Sequence, residues 1–136
     1  MKFKLLDKDC TPYKHYLTDA GYDLRSREAT IVCPGGVVKI GAGVAVDIPD
    51  GYVGDISPRS SASLRGLVIQ GKVDPGYTGE VGITVINVGN KAERIGKGER
   101  IAQLVVLPCL IEDIEIVDEL PESDRGMQGF GSTGRS

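Results

Sequence analysis

The sequence predicts an all-β protein of the sandwich, jelly-roll or barrel type. Short apolar runs occupy the chain from end to end and are separated by Gly, Pro and Asp. The 19 glycines and 7 prolines bring a turn signal about every 8–12 residues, a spacing typical of antiparallel β folds. Only residues 57–66 carry a helical pattern. A chain of 136 residues is long enough for one domain with its own core.

Alternation along the chain predicts the individual strands. Val44, Val46 and Ile48 lie on one face of a strand that ends at a Pro-Asp-Gly turn. Residues 81–88 alternate in the same way, and residues 100–107 form a nearly continuous apolar run, as expected for a strand covered on both sides. Further strands are expected near residues 2–6, 30–40, 52–57, 67–70 and 111–117.

Two local signals could also belong to a functional site. Residues 57–66 read as one or two helical turns with hydroxyls at the start and Gly66 at the end. Backbone N–H groups there, together with Arg59, could bind phosphate, although this segment alone favours a capped turn with a surface arginine. Asp74-Pro75-Gly76-Tyr77 fits a type II turn, in which Asp74 is either an ordinary turn residue or a general base.

Composition excludes several classes of function. A net charge of −3, a pI near 5.2 and the absence of Trp argue against binding to long nucleic acid. No apolar run approaches the length of a membrane span, and we expect a cytoplasmic protein, in the host cytoplasm if the source is a virus. Three cysteines without a C-x-x-C pair favour free thiols over a zinc site, and His15 is expected at the surface.

The last residues raise a separate question. Residues 129–134 match G-x-G-x-x-G, but the sequence leaves no room after them for the helix and the acidic residue of a dinucleotide-binding fold. Residues 121–136 are polar and rich in glycine, so we expect a β domain at residues 1–120 and a flexible C-terminal arm at 121–136.

Five stretches in order resemble the motifs of one enzyme family. They cover residues 20–134, nearly the whole chain, and read AGYDLRS, PRSSASLRG, GKVDPGYTGEVG, GERIAQLVV and RGMQGFGSTG. This order resembles the homotrimeric dUTP pyrophosphatases (dUTPases). The resemblance implies a distorted jelly-roll β-barrel, a trimer whose three active sites are shared between subunits, and hydrolysis of dUTP to dUMP and pyrophosphate with Mg²⁺.

The resemblance also assigns roles on the nucleoside side of the site. Asp74 is implied to orient the water that attacks the α-phosphorus, and Tyr77 is implied to lie against the deoxyribose and exclude a 2′-hydroxyl. The backbone of the same hairpin is implied to read the uracil edge. The residues assigned there are Gln70, Gly71, Val73 and Gly82.

The phosphate side is assigned in the same way. The residues implied to hold the phosphates are Arg59, Ser60, Ser61 and Gln103. The arm is implied to clamp the γ-phosphate through Arg125, Gly131, Ser132 and Thr133 and to cover the uracil with Phe130. Asp23 is implied to lie near Mg²⁺ and to contact it through water, since Mg²⁺ favours phosphate and water oxygens.

Three departures from the family pattern concern the base pocket and affinity, and two other functions are alternatives to the pyrophosphatase. Lys72, Ser61 and the pair Pro75-Gly76 differ from the residues that relatives mostly carry. The related dCTP deaminases resemble parts of the same motifs but need a glutamate on the strand after the hairpin, where this chain has Thr84. A nucleotide-sensing binding module would more often lack Asp74 or the arm. The sequence therefore favours the pyrophosphatase.

Overall fold

The computed structural model describes residues 1–129 and residue 131. In this part of the chain ten strands accompany one short α-helix, α1, at Ser60–Leu64 and a 3-10 turn at Lys8–Cys10. The strands are β1 (Phe3–Leu5), β2 (Gly21–Arg25), β3 (Thr30–Val32), β4 (Val37–Gly41), β5 (Val44–Val46), β6 (Tyr52–Pro58), β7 (Leu67–Val73), β8 (Gly82–Asn87), β9 (Glu93–Ile95) and β10 (Arg100–Pro108). The prediction of an all-β fold is confirmed.

A six-stranded sheet holds most of the molecule together. Its order is β2-β10-β6-β7-β8-β4, and every neighbouring pair is antiparallel. Two smaller pairs, β1 with β5 and β3 with β9, are also antiparallel. The crossovers between distant segments of the chain place the N-terminal β2 beside the last strand, β10.

The core forms where alternate strand residues meet. On β8 the side chains of Ile83 and Val85 are fully buried, and on β7 Leu67, Ile69 and Val73 point to the same side. Because successive side chains of a strand face opposite ways, the intervening positions remain at the surface. The alternation read from residues 44–48 and 81–88 therefore predicted the buried face.

One expected strand is absent from the structure, and two observed strands were not predicted. Residues 111–117 lie in no strand, and the side chains of Ile114 and Ile116 are 84% and 89% exposed. Strands β2 and β9 were not predicted, because Asp, Arg and Glu interrupt their apolar pattern. Both are stabilised by pairing with distant segments, so local sequence does not reveal them.

The two local turn signals are confirmed. Helix α1 ends before Gly66, whose φ of 77° is a left-handed conformation that glycine adopts without steric strain. Between β7 and β8, Gly76 has a φ of 86° and the N–H of Tyr77 donates to the carbonyl of Asp74 at 3.2 Å. This is the geometry expected of a type II turn.

The end of the described chain has no regular structure. Strand β10 ends at Pro108, and residues 109–129 are exposed. Among the described residues, no helix has the length and apolar character needed to cross a bilayer.

Candidate active site

A basic pocket of about 530 Å³ opens beside β2 and the start of β10. One lysine, one histidine, two arginines and two aspartates line it. The basic side chains make the pocket suited to an anion. The lining residues are Tyr13, Lys14, His15, Asp19, Gly21, Asp23, Arg59 and Arg100.

Asp23 lies between the two arginines of this basic pocket. Its Oδ2 is 3.3 Å from Arg59 Nε and 3.3 Å from Arg100 Nη1. The guanidinium of Arg100 also covers the ring of Tyr13 at 4.5 Å, and Arg59 Nη1 donates to the backbone carbonyl of Arg100 at 3.2 Å. Two cations share one carboxylate, which leaves donor groups available to a further anion.

Gln103 reaches the same region from the middle of β10. It pairs in register with Asp23 of β2 on one side and with Ser57 of β6 on the other. Its amide lies so close to Gly21 that a Cβ built there would meet Oε1 at 2.8 Å. Glycine at position 21 therefore makes room for the amide beside the basic pocket.

The two predicted serines lie next to Arg59 but do not line the basic pocket. Ser60 and Ser61 are exposed in the first turn of α1. Arg59 is the N-cap residue and makes no side-chain capping hydrogen bond. Both serines are therefore at the surface, directly after Arg59 in the chain.

A second concavity, the hairpin groove, holds about 350 Å³ along the β7–β8 hairpin. Its lining residues are Lys39, Gly71, Lys72, Val73, Asp74, Tyr77, Glu80, Val81, Gly82 and Thr84. Asp74 is exposed, and the 49% exposed Tyr77 donates its hydroxyl hydrogen to the carbonyl of Glu80 at 2.9 Å. A carboxylate and an aromatic ring thus stand together at the hairpin tip.

The unusual Lys72 has a partner in the structure. Its ammonium forms an ion pair with Asp55, the residue directly opposite on β6. Gln70, assigned to the base side, is exposed opposite Thr84 and is not among the residues lining the hairpin groove.

The basic pocket and the hairpin groove stand at opposite ends of β6. Gly54 pairs with Val73, and the hairpin tip begins one residue later at Asp74. Arg59 follows Pro58, the last residue at the other end of the strand. About six strand positions, or roughly 20 Å, therefore separate Asp74 from Arg59 within one chain.

The described part of the arm lines neither concavity. Arg125 Nε donates to the carbonyl of Gln128 at 2.7 Å, a contact within the arm itself. Gly131 is described and has a φ of 81°. The predicted arm residues Phe130, Ser132 and Thr133 lie outside the described residues.

Comparison with known proteins adds the family. A model of the dUTPase family matches residues 8–134. The chain belongs to the dUTPase family. It is 41% identical over 140 residues to the deoxyuridine 5′-triphosphate nucleotidohydrolase of Clostridium tetani, covering 99% of this chain and 97% of that one. The enzyme of the same name from Tropheryma whipplei is 41% identical over 130 residues, covering 92% and 89%.

Solved dUTPase structures share the fold. Staphylococcus bacteriophage 80alpha dUTPase with dUpNHpp has a TM-score of 0.90 and 37% identity, covering 98% of both chains. A variant dUTPase of phage phi11 of S. aureus, which shows how a structural Mg(II) ion is coordinated, has a TM-score of 0.81 and 31% identity, covering 89% of this chain and 98% of that one. The predicted jelly-roll-like β fold is confirmed, and this dUTPase is an enzyme that hydrolyses dUTP.

Sequence reasoning missed two groups of this dUTPase. Arg100 lies in the stretch GERIAQLVV, whose pattern predicted no role for it, although it contacts Asp23 directly. Tyr13 lies before the first of the five stretches, yet its backbone pairs with that of Asp23 through two hydrogen bonds of 3.0 and 2.7 Å. The only available signal for Arg100 was its place three residues before Gln103, and Tyr13 gave none.

Proposed function

We propose that this dUTPase splits dUTP into dUMP and pyrophosphate by attack of a water molecule on the α-phosphorus, with Asp74 as the base that orients the water. The observation that carries the proposal is the pair of concavities, one built around an exposed carboxylate and a ring, the other around two arginines. Removal of dUTP would keep uracil out of DNA, and the dUMP formed would supply thymidylate synthesis. Both roles fit an enzyme of the cytoplasm, or of a host cytoplasm if the source is a virus.

The hairpin groove takes the nucleoside. Tyr77 would lie with its ring against the deoxyribose and leave no space for a 2′-hydroxyl; the proposal is supported by its place beside Asp74 in the lining of this groove. Gly71, Val73 and Gly82 contribute backbone at the base of the same groove, where main-chain donors and acceptors suit the uracil edge. Gln70 does not line the hairpin groove, so any contact it makes with the uracil would be at the edge of the groove.

The basic pocket takes the phosphates. Arg59 and Arg100 supply charge-assisted hydrogen bonds, and Gln103 adds an amide held in place by its fit over Gly21. Ser60 and Ser61 contribute hydroxyls from the first turn of α1. Phosphoryl transfer depends mainly on positioning and charge neutralisation, so a single base together with these donors is sufficient protein chemistry.

Mg²⁺ fits the donor set next to this pocket. Within the described residues, no three His, Cys, Asp or Glu side chains gather as a metal cage. Asp23 uses Oδ2 for both arginines, so its second carboxylate oxygen remains outside these ion pairs. Asp23 would therefore hold Mg²⁺ through water while phosphate oxygens provide the remaining ligands, and the ion would supply neutralisation of the triphosphate charge.

The proposed site is completed by assembly into a homotrimer. The 20 Å gap between Asp74 and Arg59, roughly estimated from strand rise, is too long for adjacent phosphates of one nucleotide, but the groove of one subunit can meet the pocket of another. Exposed apolar residues support an interface: on the outer sheet face Val37 and Val68 flank Ile86 across three strands.

The arm at residues 121–136 is proposed to close over a neighbouring site. Arg125 would reach the γ-phosphate together with Gly131, Ser132 and Thr133, and Phe130 would cover the uracil. The single intrachain side-chain bond of Arg125 in the described arm is to a backbone carbonyl three residues away, so its remaining guanidinium donors are available to phosphate. Closure excludes water other than the attacking molecule.

Pyrophosphate release tests the proposal. Purified protein with Mg²⁺ is given dUTP, UTP, dCTP and dTTP separately, alongside Asp74→Asn. We expect release from dUTP only, and a loss of at least about 100-fold in the variant, because the amide cannot accept the proton of the water. The variant must still bind dUpNHpp. Activity that survives Asp74→Asn, or ammonia released from dCTP, contradicts the proposal.

A further inference from the structure

The carboxylate of Glu80 is held at two points outside its own hairpin. Oε1 accepts a hydrogen bond from Arg27 Nη1 at 3.0 Å, and Oε2 accepts one from the backbone N–H of Gly43 at 2.9 Å. Arg27 is itself fixed, since Nη2 donates to the carbonyl of Leu6 at 3.3 Å. Glu80 therefore connects the β7–β8 hairpin to the β4–β5 turn and to the segment after β2.

The carboxylate of Glu80 lies where a side chain at position 41 would begin. A Cβ built on Gly41 would lie 2.3 Å from Glu80 Oε2 and 2.9 Å from Cδ. The φ of Gly41 is not in the left-handed region, so the backbone there does not itself require glycine. A side chain at position 41 would therefore displace the Glu80 carboxylate from its present place.

The backbone of Glu80 in turn orients Tyr77. The Tyr77 hydroxyl donates to the Glu80 carbonyl at 2.9 Å, and the ring lies over Gly79, where a Cβ would meet the hydroxyl oxygen at 2.6 Å. After the hairpin tip, the first backbone hydrogen bonds to the neighbouring β4–β5 segment are those of Val81 with Val44 and Ala42. Most tip residues between Asp74 and Gly79 are exposed, so Glu80 is the side chain that anchors this segment.

We infer that Glu80 is a positioning residue that fixes the Tyr77 ring and thereby sets the discrimination of deoxyribose from ribose. The inference rests on the proposed function, in which Tyr77 lies against the sugar. Glu80 acts through other residues: its carboxylate holds the hairpin at Gly43 and Arg27, and its backbone carbonyl accepts the hydrogen bond of the Tyr77 hydroxyl. Because ring position decides whether a 2′-hydroxyl fits, a loosened anchor admits UTP.

Steady-state kinetics with dUTP and UTP test this in three variants. Glu80→Gln keeps an acceptor for Gly43 N–H but loses the charge that faces Arg27, Glu80→Ala loses both contacts, and Gly41→Ala displaces the carboxylate with Glu80 intact. We expect the ratio of kcat/KM for dUTP to that for UTP to fall about tenfold in Glu80→Ala and Gly41→Ala, and less in Glu80→Gln.

This ratio separates positioning from general stability. A variant that only unfolds more easily loses activity toward both substrates in proportion, and its ratio stays constant. The matched control is Lys97→Gln. Lys97 pairs with Asp7 and Asp9, and Asp7 in turn lies 3.8 Å from Arg27 Nε, so the change removes a neighbouring cation without touching Glu80. We expect the control to keep the wild-type ratio.

Amide hydrogen exchange of residues 74–79 gives a readout without substrate. Faster exchange in Glu80→Ala but not in Lys97→Gln supports the anchor, and unchanged exchange refutes it. A wild-type ratio in Glu80→Ala refutes the role in discrimination. Wild-type protein that fails to prefer dUTP overturns the proposed function instead, so the two failures are distinguishable.

Discussion

Two inactive variants of this dUTPase are expected to restore each other's activity when they are assembled together. The first is Asp74→Asn, which disables the hairpin groove, and the second is Arg59→Gln, which disables the basic pocket. Each alone should lose about 100- to 1,000-fold in kcat, the range typical of removing one group that stabilises a charged transition state.

The size of the recovery follows from the geometry. Asp74 and Arg59 lie beyond opposite ends of β6, roughly 20 Å apart. In the proposed homotrimer a working site would therefore take its groove from one subunit and its pocket from another. In a random one-to-one mixture the groove of a given site is intact in about half of the cases, and so, independently, is its pocket. About one quarter of the sites then contain both intact halves, and we expect about a quarter of wild-type activity.

The assay is co-refolding. Equal amounts of the two variants are unfolded in urea, mixed, refolded by dialysis and assayed for pyrophosphate release from dUTP. The control mixture combines Asp74→Asn with Asp74→Ala, in which every groove is defective and no recovery is expected. Native mass spectrometry of one isotope-labelled variant measures how completely the chains mix.

Mixed assemblies without recovered activity would refute the reasoning, since they would mean that one chain supplies both halves of its own site. A protein that is monomeric and fully active at assay concentration would refute it equally. Recovery near a quarter supports both the shared site and the assignment of Asp74 and Arg59 to different halves.

Three further outcomes are expected. Ile83→Ala should lower the free energy of unfolding by about 2–5 kcal/mol in urea titrations because the side chain is fully buried, whereas Thr84→Ala, one residue along, should change it by less than about 1 kcal/mol. Burial raises the pKa of the Cys10 thiol, so this thiol stays protonated at pH 8. Ellman's reagent should therefore label the 2 exposed cysteines in the folded protein, and Cys10 only after unfolding. Truncation after Leu120 should leave the melting temperature unchanged, since β10 ends at Pro108. It should lower kcat/KM for dUTP by at least about 100-fold. A fully active truncated enzyme would contradict the proposed closure of the arm over the site.

The hairpin groove was predictable because its signals are local. The turn residues Asp74 to Tyr77 demand one backbone geometry, and the alternation after Val81 fixes which face of β8 is buried. Once the turn and the strand faces are set, the position of a carboxylate and a ring at the tip follows. The ion pair of Lys72 with Asp55 was not predictable, because it depends on which strand lies beside β7.

The basic pocket was less predictable because it depends on register. Strict alternation along β10 would place Arg100 on the same side as Ala102 and Leu104, which are buried. The pairing of β10 with β2 shifts between Arg100 and Ala102, and such an irregularity re-aims a side chain. Arg100 thereby reaches Asp23, a residue 77 positions away in sequence. Register between distant strands is a tertiary property that one sequence does not encode locally.

The absence of the expected strand at residues 111–117 and the distance between the hairpin groove and the basic pocket have one proposed explanation in common. An alternating apolar segment predicts a strand, but it does not specify whether the strand that covers it belongs to the same chain. Leu110, Ile114, Ile116 and Leu120 are each more than 80% exposed in the single chain, an arrangement that water disfavours. The roughly 20 Å between Asp74 and Arg59 is likewise a gap that one chain does not close. The proposed assembly with neighbouring copies would account for both, because it would cover the apolar segment and bring the groove of one chain to the pocket of another.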